Sequence, residues 1–346
     1  MKNNFDLIET NEVGKNARGG TEMYMEFVYD GTVPRELLEQ VHITPSRFRK
    51  FEPEKIRIWF EHNLPNDPES SRLKDPKFRN DFHKIVFLSN WHYQQFQNKL
   101  DLPFDHRSTV IEGGFFPLVD YDIFTKPTNK INIAYFTTPH RGLEILVPVF
   151  LKLAEHNPDI HLHVHSSFKM YGWDARDEHF EPLYKICREH PQITYHGFTE
   201  HSKLQTMIKD YHIFAYPNIW PETMCRAVLE AMSAGMLCVH PNLAALPDTT
   251  GCLNFMYDGT IDPQLHANRF CGVLDYAIQA IRANSDSVKN NLLFNKMYVD
   301  RRYNIDLVHS KWTGLLTSLV DQYPTVESRR QASQTSVSFT YNTNPR

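Results

Sequence analysis

Between residues 131 and 241, strand-length apolar runs and amphipathic stretches take turns almost without interruption, and this alternation constrains the fold more than any other property of the chain. The apolar runs are INIAYF (131–136), IHLHVHSS (160–167), ITYHGF (193–198), HIFAYPN (212–218) and LCVHP (237–241). Helical stretches separate them at 143–157, near 177–190, at 201–210 and at 221–235. Strands joined through helices run parallel and are buried on both faces. The pattern therefore predicts a doubly wound, Rossmann-like sheet whose ligands meet the carboxyl ends of the strands. Upstream, IRIWF (56–60) and KIVFLS (84–89) are runs of the same kind. They predict a second sheet of buried strands.

A chain of 346 residues suggests two domains on a prior of about 150 residues each. DYDIFTKPTNK (120–130) has Pro, Asn and Lys without periodicity and is the expected linker. The expected division is a first domain over 1–125, a second over 126–301, a C-terminal helix over 302–321 and a polar, mostly unpacked tail over 322–346. Near-equal totals of 37 basic and 41 acidic residues provide no global field favouring nucleic acid or an anionic bilayer. Five cysteines without a CxxC pair read as reduced thiols of a cytoplasmic protein. The polar N-terminus reads as no signal peptide, and no run approaches the ~18 apolar residues of a spanning helix.

WPETMCRAVLEAMSAG (220–235) carries two glutamates. Pro221 predicts a helix start and Gly235 its end. Glu222 then lies at the N-terminus, and Glu230 lies ~12 Å further along the axis at about 1.5 Å per residue. A nucleotide diphosphate sugar has about that length, and the amides of Thr223, Met224 and Cys225 are placed for its phosphates. The alternative is two solvated carboxylates, which spacing alone favours.

In its surroundings, YPNIWPETMCRAVLEAMSAGMLCV followed by PNLAALPDTTG, this segment resembles the donor-site block of retaining glycosyltransferases of family 4, which have the GT-B fold. The resemblance implies that Glu222 binds hydroxyls of the transferred sugar and Glu230 the ribose of the nucleotide. YFTTPHRGLEILVPVF (135–150) resembles the family's first strand, basic loop and helix. It implies that Arg141, before Gly142, reaches the diphosphate together with backbone amides around Thr138, Lys169 being a second candidate cation. ARGGTE (17–22) resembles the glycine-rich loop, which assigns Gly19 and Gly20 to the donor phosphates. IWFEHNLP (58–65) resembles the short His motif, in which His62 orients a substrate hydroxyl; the alternative is a structural imidazole at a strand end. The base is expected near Phe198. VIEGGFFP (110–117) places Gly113-Gly114 where the family has its Asn-Gly turn.

The resemblance thus implies an α/β fold of GT-B type, two Rossmann-like domains facing across a cleft, with the C-terminal helix returning to the N-terminal domain. It implies a metal-independent, cofactor-free, retaining transferase, with His62, Glu222 and Arg141 as catalytic residues. The co-substrate is a nucleotide diphosphate sugar, UDP favoured over GDP, and the acceptor a saccharide or other soluble hydroxyl. Hydroxymethylated DNA is the alternative acceptor, from the basic excess of 47–84 and the aromatics Trp59, Phe60 and Trp91. A sugar-nucleotide epimerase and a non-catalytic binder are the alternatives of other classes. Asp120-Tyr121-Asp122 falls in the linker and is set aside as a metal motif. His161, His163 and His165 alternate along one strand, where three ligands do not converge on zinc. They read as a buried or edge-facing row.

Overall fold

The apolar runs become strands, and those inside each sheet are buried along most of their length. The structure is a computed structural model that describes residues 3–8, 19–47, 52–103, 105–118, 121–127 and 129–331. Two compact units emerge. One is built mainly on Gly20–Gly113 and the stretch from Asp306 onward, the other on Gly114–Ile305.

In the first unit, β1 (Val41–Pro45), β2 (Ile56–Phe60), β3 (Lys84–Phe87) and β4 (Ser108–Val110) form a parallel sheet in the order β1-β2-β3-β4. Val41 pairs with Ile56 and Ile58 with Lys84, and every residue of β1 and β2 is buried. Trp59, Leu73, Phe82, Phe87 and Phe96 form the core on one side. The helix Ile305–Gln322 supplies Trp312, 1% exposed, whose ring meets that of Phe60 at 5.0 Å. His309 Nε2 lies 3.0 Å from the carbonyl of Phe27, and Lys311 pairs with Glu112 at 2.7 Å. The C-terminal helix is therefore part of the first unit. It starts at Ile305 rather than 302, because Asn304 forms a bridge with Phe115 that interrupts the preceding helix, Asp286–Arg302.

The tail is packed further than its polarity suggests. A helix spans Val326–Gln331, and within it Arg329 is buried, donating to Gln40 Oε1 at 2.7 Å and to the carbonyl of Tyr323 at 3.0 Å. Residues 332–346 lie outside the described residues.

The second unit carries β5 (Ile131–Tyr135), β6 (Ile160–Val164), β7 (Ile193–Tyr195), β8 (Ile213–Ala215), β9 (Leu237–Pro241) and β10 (Phe255–Tyr257). They form one parallel sheet in the order β10-β9-β8-β5-β6-β7. From β5 the chain winds outward through β6 to β7, then returns to β8 on the other side of β5. The direction of winding thus reverses between β5 and β8, the arrangement that opens a crevice at the ends of these strands.

The linker stretch belongs to this unit. Lys126 donates to the carbonyls of Lys209, Tyr211 and Ala234 at 3.1, 2.6 and 2.8 Å, and burial pushes its ammonium down to about 7. Tyr121 donates to the carbonyl of Lys209, and Asp122 accepts from the amide of Phe124 at 2.9 Å, while Asp120 lies outside the described residues. Among the described residues, no helix is long and apolar enough to cross a membrane.

Candidate functional site

At the reversal of strand order the loops after β5 and β8 come together, and they bring Arg141 to Glu222. After β8 the chain turns over the sheet edge at Asn218, whose side chain accepts from the amide of Trp220 at 2.9 Å and donates to its carbonyl at 2.6 Å. This side-chain turn holds the backbone out of helical geometry. The helix accordingly begins at Arg226 and runs to Ser233, not from Pro221 as expected. Glu222 sits on the loop, so the spacing to Glu230 is not set by one helix axis. Thr223, Met224 and Cys225 precede the helix, with Met224 and Cys225 buried. Gly235, at φ +65°, ends the helix, and a Cβ there would come within 2.5 Å of Ile123.

After β5, the Tyr135 hydroxyl donates to the Thr138 carbonyl at 2.8 Å, and Pro139–Arg141 makes a single 3-10 turn. Gly142 follows at φ +114° and opens the helix Leu143–Ala154. A Cβ on Gly142 would stand 2.1 Å from the carbonyl oxygen of Pro217, so glycine alone lets the two loops approach this closely. The Arg141 guanidinium then donates through Nη1 to Glu222 Oε1, which also accepts from the Tyr216 hydroxyl at 2.6 Å. Glu222 is 7% exposed and Arg141 20%. Burial works against the arginine's charge, but Glu222 and then Tyr216 hold its pKa well above the usual range. The cation is therefore fixed at the amino end of a helix of 12 residues, which itself favours an anion.

Among the described residues, buried polar atoms on the loop after β5 have no hydrogen-bond partner: Thr138 Oγ1, His140 Nδ1 and Arg141 Nε; Ser166 Oγ, after β6, is another. Buried polar groups are nearly always satisfied, so several together at the strand ends point to a ligand that satisfies them. His140 is held neutral, pushed down to about 4 by burial and by Arg141 and Arg176. Its ring stacks on Phe168 at 5.2 Å and meets the edge of Trp220 at 5.1 Å.

Glu230, on the following helix, is buried and held in an ion cluster. Arg226 Nε donates to Oε1 at 2.8 Å, and His201 Nε2 lies 2.8 Å from the same oxygen. Burial pushes this carboxyl up, but Arg226 and His201 more than offset it and leave it below the usual range. In both glutamates the contacts described fall on Oε1. Tyr216, His140, His201 and Arg226 were not anticipated from the sequence. Arg226 alone had a sequence signal, its position four residues before Glu230 on a helix.

Phe198 lines a cavity of about 330 Å³ with Lys169, His196, Thr199, Lys203 and Met207. Lys169 thus shares a cavity with Phe198. His163 and His165 stack with His196 at 5.5 and 4.0 Å, and His165 Nε2 lies 2.8 Å from the Tyr211 hydroxyl. Among the described residues, no three His, Cys, Asp or Glu side chains are grouped to hold a metal. In the first unit, His62 follows β2, and its buried ring meets those of Phe60 at 4.2 Å and Tyr24 at 5.8 Å. Burial, then His92, pushes its imidazole down to about 3, so it is neutral. Gly19 is buried; Gly20 begins the helix Gly20–Val28, where a Cβ would meet Tyr24 at an ordinary 3.6 Å.

Residues 131–270 match the family of glycosyl transferases group 1. No curated protein matches the chain. Among solved structures, a glycosyltransferase from Rickettsia africae is similar at 17% identity and a TM-score of 0.65, over 90% of this chain and 84% of that one. Sucrose-phosphate synthase from Thermosynechococcus elongatus is similar at 14% identity and a TM-score of 0.58, over 87% and 79%. Anabaena HepE, solved in complex with UDP-glucose, is similar at 14% identity and a TM-score of 0.54, over 76% and 72%. The two parallel-sheet α/β units are those of the GT-B fold.

Proposed function

We propose that this chain, with its GT-B fold and its group 1 glycosyl transferase segment, is a retaining glycosyltransferase of family 4. It moves a sugar from a nucleotide diphosphate sugar, UDP favoured, to the hydroxyl of a saccharide or other soluble acceptor. The observation that carries this reading is the Arg141–Glu222–Tyr216 cluster at the reversal of strand order, with Thr138 Oγ1 and His140 Nδ1 on the same loop unsatisfied among the described residues. Arg141 and the amides opening the helix Leu143–Ala154 receive the diphosphate. Oε2 of Glu222 takes a hydroxyl of the sugar, Oε2 of Glu230 takes the ribose, and the base lies against Phe198. The bond between the anomeric carbon and the diphosphate oxygen breaks with its electron pair going to that oxygen. The acceptor oxygen bonds the same face of the sugar, and its proton ends on the departing phosphate, which gives retention without a protein nucleophile. Neutral His62 orients a substrate hydroxyl, and neither metal nor cofactor is required.

The DNA reading is not favoured, because several of the basic side chains described in the 47–84 stretch are engaged within the chain. Arg57 is buried with the carbonyls of Asp81 and Lys55, Arg79 donates to Leu73, and Arg72 pairs with Glu69. Incubation with a panel of UDP, GDP and ADP sugars, with and without saccharide acceptors, tests the proposal. Release of UDP by the wild type and its loss in Glu222→Ala is expected. Failure to bind or turn over any nucleotide sugar, or an unaffected Glu222→Ala, would overturn it.

A further inference from the structure

Behind His62 the first unit holds a carboxylate that the proposed reaction leaves unused. Glu61 directly follows β2 and none of it is exposed. A carboxylate at that depth costs several kcal/mol unless hydrogen bonds replace its water. Five donors do so. Oε1 accepts from Ser46 Oγ at 2.7 Å, Ser70 Oγ at 2.9 Å, and the amides of His62 and Asn63 at 2.9 and 2.8 Å. Oε2 accepts from the Trp59 indole at 2.8 Å.

The same network immobilises the backbone that carries His62. Ser46 stands at φ +53°, a left-handed conformation that costs a residue with a Cβ about 1 kcal/mol. From there its amide donates to the Phe60 carbonyl at 3.0 Å and its hydroxyl accepts from the His62 amide at 2.6 Å. On the far side, His92 Nε2 donates to the Asn63 carbonyl at 2.6 Å, its Nδ1 accepting from the Leu88 amide at 3.4 Å. The Glu61 amide itself donates to the Val86 carbonyl at 2.8 Å. Backbone groups across residues 61–63 are thus held from three elements, and strain at Ser46 is maintained for it.

We propose that Glu61 is a positioning residue for the transfer reaction: its carboxylate, ringed by five donors, locks the His62–Asn63 backbone so that the His62 imidazole meets substrate in one orientation. The inference rests on the assignment of His62 to that reaction. A glutamine of equal size does not replace it, because its NH₂ turns a donor toward donors. A merely scaffolding carboxylate would tie β1 to β2 and leave the imidazole unaffected.

Four full-length proteins test this above neutral pH: wild type, Glu61→Gln, His62→Ala and the double variant. Melting, UDP affinity, kcat and the imidazole NMR signals of His62 are the readouts. Glu61→Gln is expected to melt cooperatively, to bind UDP as wild type does, to lose kcat by about tenfold to a hundredfold, and to shift the His62 signals. In the His62→Ala background it should cost nothing more. An equal loss in both backgrounds, or unmoved His62 signals, overturns the proposal. Should Glu61→Gln not fold, Ser70→Ala removes one donor and keeps the charge, and the same readouts decide. If the wild type turns over no nucleotide sugar, the transfer reading fails by itself, and the His62 signals still decide whether Glu61 positions the imidazole.

Discussion

Arg141 and Glu222 are 81 residues apart in sequence and share one ion pair. Removing the arginine alone leaves a carboxylate that is 7% exposed without its cation, which is expected to cost about 3 kcal/mol. Arg141→Ala with Glu222→Ala should cost less than the two singles added, by about 1 kcal/mol or more in urea unfolding. Strict additivity would mean that the pair does not form in solution. Tyr216→Phe removes one hydrogen bond to a carboxylate, worth about 2 kcal/mol, and is expected to lower kcat more than UDP affinity; an unchanged kcat would show that Tyr216 does not set Glu222. Arg141, Glu222 and Glu230 stood out in the sequence as candidates because they lie in a local block with a local pattern. Tyr216, His140 and His201 did not, because periodicity reports which face is buried, not which side chains from separate elements meet there.

Among the elements, the parallel strands were legible because a strand covered on both faces has to be a continuous apolar run. The start of the helix carrying Glu230 was not. Pro221 signals a helix start, yet the Asn218 turn and the bond from the Ala245 amide to the Glu222 carbonyl at 3.1 Å hold residues 218–222 in a loop. Two local preferences competed, and a contact from a distant segment decided between them. Gly142 is where the loops depend most on one residue. Gly142→Ala is strained at φ +114° and drives a methyl onto the Pro217 carbonyl, and it is expected to cost about 3 kcal/mol or more. Chemical denaturation checks the stability, and UDP affinity should fall with it because Arg141 is displaced; a variant as stable as wild type would mean that the loops do not approach as described.

For the whole molecule, buried imidazoles set the acid limit. Burial foremost pushes His62, His163 and His165 down to about 3, and His83, His92, His140, His212 and His240 to about 4, from an ordinary 6.5. The folded values lie below the unfolded ones, so the unfolded chain takes up protons first on acidification. Stability from these groups is complete above 6.5 and is lost as pH falls toward 4 and 3. Glu61, pushed up to about 7 by burial, acts in the opposite sense, one group against many. The melting temperature is expected to hold above pH 6.5 and to decline steadily below it; a flat profile down to pH 4 would contradict the buried, neutral state of the histidines. Trp312→Ala, in the first unit's core, is expected to cost about 4 kcal/mol, measured as an earlier loss of that unit's signal on heating. The place of Trp312 also orders events in time. Sequence from Asp306 onward completes a unit whose other parts precede Gly114, while the second unit, apart from a short piece ending at Gly19, is the continuous stretch Gly114–Ile305 and holds all six strands of its sheet. During synthesis the inner unit can therefore close on itself as it leaves the ribosome, whereas the outer one waits for the last segment of the chain. Nascent chains stalled with residue 305 just clear of the exit tunnel should already protect the inner unit from protease and leave the outer one open.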